Sequence, residues 1–204
     1  MGFIKKNSYE IVRLMLNQFA LSVFGIVLIT AARQRIKSGF DWLSLVVSIF
    51  STLFYLYILY ATLLEIGGKH KVKVEAGSMV CDRRFGLKLM LLAQIPNFVI
   101  LLFMFLGWLF GHAVTHASFF AGMYGVAQII VYFMQSMYDG IIGVIIPAVD
   151  SVALSDVEMI RISFFVWLAY LLSVIPAILV SWGSYILGLE DKKLFFKRPP
   201  TSGR

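Results

Sequence analysis

Residues 118–149 read SFFAGMYGVAQIIVYFMQSMYDGIIGVIIPAV, and the way this stretch uses its length decides the fold. As one helix rising 1.5 Å per residue it would run about 48 Å, too long for one comfortable crossing of a hydrocarbon core of about 30 Å and too short for two. Something has to break it. Its most polar part is QSMYDG, Gln135 to Gly140, and Gly143 and Pro147 weaken any helix beyond that point.

The rest of the chain sets this stretch in an apolar context. Of 204 residues 60% are hydrophobic and only 14% charged, with a mean hydropathy of +0.86. A soluble domain carries about a quarter charged residues. The composition therefore predicts an all-α polytopic transmembrane bundle in which residues 1–190 form one helical domain. The net charge of +7 sits mostly in tails and short loops, which reads as membrane topology and excludes a nucleic-acid face. The single cysteine, Cys81, allows no intramolecular disulfide and no cysteine-based metal site. Residues 1–6 are short and basic, and the apolar run behind them is too long for a signal-peptide core, so a retained first span is expected.

Apolar runs predict spans at about 11–32, 42–66, 87–110 and 160–187, with the stretch 118–149 between the last two. The segment 67–88 carries Lys69, Lys71, Lys73, Arg83 and Arg84 against few acids. By the positive-inside rule it is cytoplasmic, and so are the N-terminus and the basic tail 191–204. Its KVKV, residues 71–74, alternates charged and apolar side chains before Gly77 and Ser78, the pattern of a short hairpin, with a plain solvated loop as the alternative.

Five plain spans starting in the cytoplasm would end outside, which conflicts with the basic tail. A re-entrant element removes the conflict: residues 118–134 descend, 135–140 turn, and 141–149 climb part-way back. The fold class is then six membrane elements including a broken helix, with five full spans as the alternative. Irregular backbone at membrane depth is tolerated only where protein or a wet cavity satisfies it.

Candidate site residues follow from polarity within apolar runs. Asp139, with Gln135 beside it, is an ionisable group in an apolar stretch, which marks a cavity or path. The plainer alternative places it at the cytoplasmic interface as a helix cap. Gln94 and Asn97 flank Pro96, whose missing N–H kinks a helix, and together form a second candidate node. Arg13 and Asn17, at i, i+4 spacing, would line a vestibule or simply snorkel and bond neighbours. Glu65 is expected to pair with Lys69 or with a cation of the first span. His112 and His116 share a helix face, but no third ligand accompanies them, so neither metal nor other cofactor is expected. No phosphate loop, nucleophile elbow or carboxylate pair is present, and no enzymatic role is expected.

Small residues mark close helix packing. Gly107 and Gly111 form a G-x-x-x-G, and Ser173, Ala177, Ser181, Ser184 and Gly188 recur on the last span. In LEIGGKHKVKVEAG (64–77) and IPAILVSWGSYILGLED (175–191) the chain resembles uncharacterised small bacterial polytopic membrane proteins, the matching positions being Glu65, Gly67, Lys71, Gly77, Tyr185 and Gly188. That resemblance implies a multi-pass protein of the cell membrane and no particular activity. In size it is also similar to the substrate-capturing subunits of vitamin uptake transporters, although Ala20 and Gly25 do not reproduce the small-residue spacing of their first span. The expected function is a non-enzymatic subunit in the lipid bilayer that packs with another membrane protein or with itself as a homo-oligomer. The alternative is a small transporter or substrate-capturing component with its site near 135–149.

Overall fold

The computed structural model describes residues 2–35, 42–114, 118–146 and 156–190. His116, Pro147 and the basic tail fall outside them. The described residues are helical: α1 (Gly2–Lys6), α2 (Ser8–Arg35), α3 (Trp42–Glu75), α4 (Phe85–Ala93), α5 (Ile95–Trp108) with a π-helical turn at Leu109–Val114, α6 (Ser118–Gln135), a 3-10 turn at Ser136–Tyr138, α7 (Asp139–Ile145) and α8 (Asp156–Leu189). Five helical segments among them are long and apolar enough to cross a membrane, which fits a multi-pass membrane protein.

Contacts along the helices fix their directions. Gly67 of α3 lies against Gly188 of α8, while Thr52 of α3 and Ser173 and Pro176 of α8 line one cleft, so α3 and α8 run the same way. The Trp108 indole N–H donates to the Ile160 carbonyl at 2.9 Å and that of Trp167 to the Leu101 carbonyl at 3.0 Å, so α5 runs opposite to α8. α6 then starts at the Trp108 end and runs with α8, because the Tyr124 hydroxyl donates to the Ser163 carbonyl at 3.2 Å and Ser173 donates to Gln135 at 2.6 Å.

Beyond Gln135 the chain turns back. Thr52 donates to the Met137 carbonyl at 3.1 Å, the Gly140 N–H donates to Ser48 at 2.7 Å, and the Gly140 backbone also abuts Ser44. These partners step backwards along α3, away from its Glu75 end. Segment 118–146 is therefore a re-entrant helix pair that reaches the middle of the bundle and returns. Of the five long apolar segments, 118–146 alone doubles back within the bundle, and the described residues at both ends of the chain lie on the same side of it.

That shared end is tied by aromatic side chains. Phe85 packs on Phe3 at 5.3 Å, on His70 at 4.5 Å and on Tyr185 at 5.4 Å between ring centroids. His70 Nδ1 and the Tyr185 hydroxyl are hydrogen-bonded at 3.0 Å. A β-carbon on Gly67 would collide with the Tyr185 carbonyl and one on Gly188 with the Leu64 carbonyl. Close approach of α3 and α8 thus depends on both glycines, since packing in lipid rests on contact rather than on water exclusion.

One boundary differs from expectation. Residues 71–74 form neither hairpin nor loop, because α3 continues to Glu75. Lys69 bonds Glu65 at 2.7 Å and Lys71 pairs with Glu75 at 3.7 Å, both i, i+4. These pairs favour helix where the side-chain alternation imitates a strand. The helix ends in a Schellman motif: Gly77 takes φ +69, its N–H bonds the Val74 carbonyl, and the Ser78 N–H bonds the Lys73 carbonyl. Since α4 begins at Phe85, the basic segment 67–88 is mostly helix and only 76–84 is a connection. Asp82 staples it, accepting from Lys88 at 2.7 Å and from the Arg84 N–H at 2.9 Å. The Lys88 bond is the main reason its carboxyl is held below the usual carboxylate range.

Two outcomes follow from this geometry. In a Cys81→Ser background, Glu190→Cys is expected to react with an impermeant thiol reagent from the same membrane face as native Cys81 does in the unaltered chain; reaction from opposite faces would refute the reversal. Gly188→Leu is expected to lower stability in detergent by roughly 1–3 kcal/mol, as overpacking does, measured by thermal unfolding.

Candidate functional site

The turn that reverses the chain carries non-helical backbone into the bundle centre. Ser22 of α2 donates to the Met134 carbonyl, and Ser136 donates to the Ser22 carbonyl. With Thr52 and Ser48, three hydroxyls from α2 and α3 serve peptide groups of the turn, while Ser136 ties the turn back to α2. Gly25 stands where a β-carbon would press on the Met137 backbone at 3.0 Å. Close packing and hydroxyl bonding together hold the turn at depth.

Around the tip lies a polar node. The break between α4 and α5 falls at Gln94, with Pro96 near the start of α5, and it turns Gln94 and Asn97 into the core, 1% and 2% exposed. Asn97 donates its amide N–H to Gln94 Oε1. Tyr55 of α3 is also buried, and Gln135 receives the Ser173 hydroxyl. Side chains from α3, the α4–α5 break, the re-entrant tip and α8 thus meet at one level.

The node is not closed on itself. Among the described residues, Ser51 Oγ, the Tyr55 hydroxyl, Gln135 Nε2, the Tyr138 hydroxyl and Ser181 Oγ are buried without a hydrogen-bond partner. Each such group costs several kcal/mol in a hydrocarbon setting; Gln135 Nε2 and the Tyr138 hydroxyl belong to the re-entrant tip, whereas Ser181 lies two turns further along α8, beside Gly86.

A cleft adjoins the node. It has a volume of about 710 Å³, lies between α7 and α8, and has Thr52, Tyr138 and Ser173 at the end nearest the reversal. Its sides are apolar, with Ile145 and Phe165 both lining it and exposed on the bundle's outer surface, at 69% and 48%. It therefore opens sideways, where lipid chains would lie.

The expected site residues divide. Gln94, Asn97 and Gln135 converge on the node. Asp139, half-buried, begins α7 directly after it. Arg13 is elsewhere: it pairs with Glu65 at 3.4 Å at the basic end, and Asn17 is half-buried one turn further along α2. Lys69, Lys71, Lys73, Arg83 and Arg84 all lie at that basic end, where Arg83 pairs with Glu190 at 3.8 Å. Gly107 and Gly111 pack on the α6 backbone at Tyr124 and Ala121. Ala177, Ser181 and Ser184 are buried in the bundle, Ser173 bonds Gln135, and Gly188 abuts α3. His112 sits against Tyr124 at 5.5 Å, and no group of three metal-ligating side chains occurs among the described residues.

Sequence reasoning missed Tyr55 and the serines as parts of the site. The signal was available: Ser44, Ser48, Ser51 and Tyr55 follow one another at four- and three-residue steps, a polar stripe on one face of an apolar helix. No protein-family model, curated protein or solved structure matches the chain, so the site stands on its geometry.

Ser22→Ala is expected to cost about 1–3 kcal/mol, the penalty of a buried carbonyl left unpaired. Thermal unfolding in detergent measures it, and the Ser22→Ala/Ser136→Ala double variant is expected to lose less than the sum of the singles, because both act on one contact.

Proposed function

We propose that this chain is a non-enzymatic membrane component that captures or moves a small apolar or amphipathic molecule drawn from the bilayer. The observation that carries the reading is the adjacency of a sideways-opening apolar cleft to a buried polar node with unpartnered atoms, both created by the re-entrant tip. Substrate sites of membrane carriers occupy this kind of place, near mid-depth where helices are broken. A volume of about 710 Å³ falls within the range of small-molecule pockets.

The polar groups of the node are amides and hydroxyls, which bind and orient but form no acid–base or nucleophilic constellation, and this favours binding over catalysis. The basic end, with Lys69, Lys71, Lys73, Arg83 and Arg84, is assigned to the cytoplasm by the positive-inside rule, and both chain ends go with it. The small-residue positions are buried inside this chain's own helix contacts, which weakens the case for docking on a partner through them.

Purification in mild detergent followed by native mass spectrometry tests the proposal. A small molecule retained by the unaltered protein, and lost when Leu172→Trp fills the cleft, is the expected result. A protein that retains nothing, or one whose retained molecule ignores Leu172→Trp, would refute it. A stoichiometric protein partner appearing instead would favour the subunit reading.

A further inference from the structure

Resting on the capture reading, we infer the chemical class of the molecule: an apolar chain ending in an uncharged hydrogen-bonding head, a hydroxyl or carbonyl, that enters head-first and ends at Tyr138.

The cleft residues carry no charge. Along α7 and α8 they are isoleucine, leucine, phenylalanine, alanine and proline, and the polar residues among the lining are Thr52, Tyr138 and Ser173 at the deep end. Two of these are engaged, since Thr52 donates to the Met137 carbonyl and Ser173 to Gln135. The Tyr138 hydroxyl is without a partner, and so is Gln135 Nε2 behind Ser173. A phenol both donates and accepts, so one oxygen placed against the Tyr138 hydroxyl accepts from it. A hydroxyl or carbonyl oxygen meets that demand.

Charge decides against the alternatives. An ionised head at the deep end would lose its hydration with no opposite charge among the cleft residues, a penalty of several kcal/mol that hydrogen bonds from neutral groups do not repay. Asp139 follows Tyr138 in sequence but does not line the cleft, so it offers a cationic head no direct partner there. At the opposite end the exposed Arg161 precedes the cleft residue Ile162. An anionic amphiphile would keep its head at Arg161 and insert its tail. The two poses therefore depend on different residues.

The test compares three probes with the same C20 isoprenoid chain, ending in an alcohol, a carboxylic acid or an amine, added to the purified full chain at neutral pH and counted by native mass spectrometry. The alcohol is expected to bind best. Tyr138→Phe is expected to weaken it roughly 3- to 10-fold, the worth of one hydrogen bond, and Arg161→Gln to leave it unchanged. Acid or amine binding as well as the alcohol, or sensitivity to Arg161→Gln without sensitivity to Tyr138→Phe, would overturn the neutral-head assignment while leaving the cleft in place. Binding of all three that is indifferent to both Ala169→Trp and Leu172→Trp, or no binding of any, would overturn the capture reading itself. Unchanged thermal unfolding of each variant separates loss of binding from loss of fold.

Discussion

Peptide groups outside a helix have no water to turn to in the middle of a membrane, and this structure answers that constraint with hydroxyls. Ser22, Ser48 and Thr52 serve the backbone between Met134 and Gly140, and Ser136 donates in turn to the Ser22 carbonyl of α2. Without them the turn would leave peptide donors and acceptors in a hydrocarbon setting at several kcal/mol each. Gly25 and Gly140 complete the arrangement by letting the turn press against the backbones of α2 and α3. The reversal of the chain, the level of the polar node and the cleft beside α7 all depend on these few contacts.

From the reversal follows the distribution of charge. Because the re-entrant pair returns to the side it came from, α8 runs in the same direction as α3, and Glu190 ends beside Arg83 in the basic connection. The described residues nearest both chain ends and the cationic residues of α3 and α4 then share one face. The aromatic cluster of Phe3, His70, Phe85 and Tyr185 and the Gly67–Gly188 contact fasten that face. The opposite half of the bundle is less tightly closed, since a cleft of about 710 Å³ separates α7 from α8.

Much of this was legible in the sequence. The mismatch between the length of 118–149 and the thickness of a bilayer, with the polar run at Gln135 to Gly140, pointed to a broken element, and the charge of the tail required an even number of crossings. Other features depend on neighbours that sequence spacing does not reveal. The KVKV run alternates as a strand would, but the i, i+4 pairs Glu65–Lys69 just before it and Lys71–Glu75 across it favour helix. Arg13 pairs with Glu65 at the basic end, within the expectation that Glu65 meets Lys69 or a cation of the first span. The serine-to-backbone bonds join α2 to the turn across more than a hundred residues, as from Ser22 to Met134 with a separation of 112, and no local pattern announces them.

The central claim is that the chain reverses at Ser136–Tyr138, and a depth profile along the re-entrant pair tests it most directly. Val126, Ile129, Phe133, Val144 and Ile145 are exposed on the bundle surface and suit single spin labels in a Cys81→Ser background in reconstituted bilayers. Relative accessibility to oxygen and to an aqueous nickel complex reports the depth of each. A V-shaped profile is predicted, deepest at Phe133 and returning at Ile145 to about the depth of Val126. A steady progression that brings Ile145 to the opposite membrane surface would contradict the account.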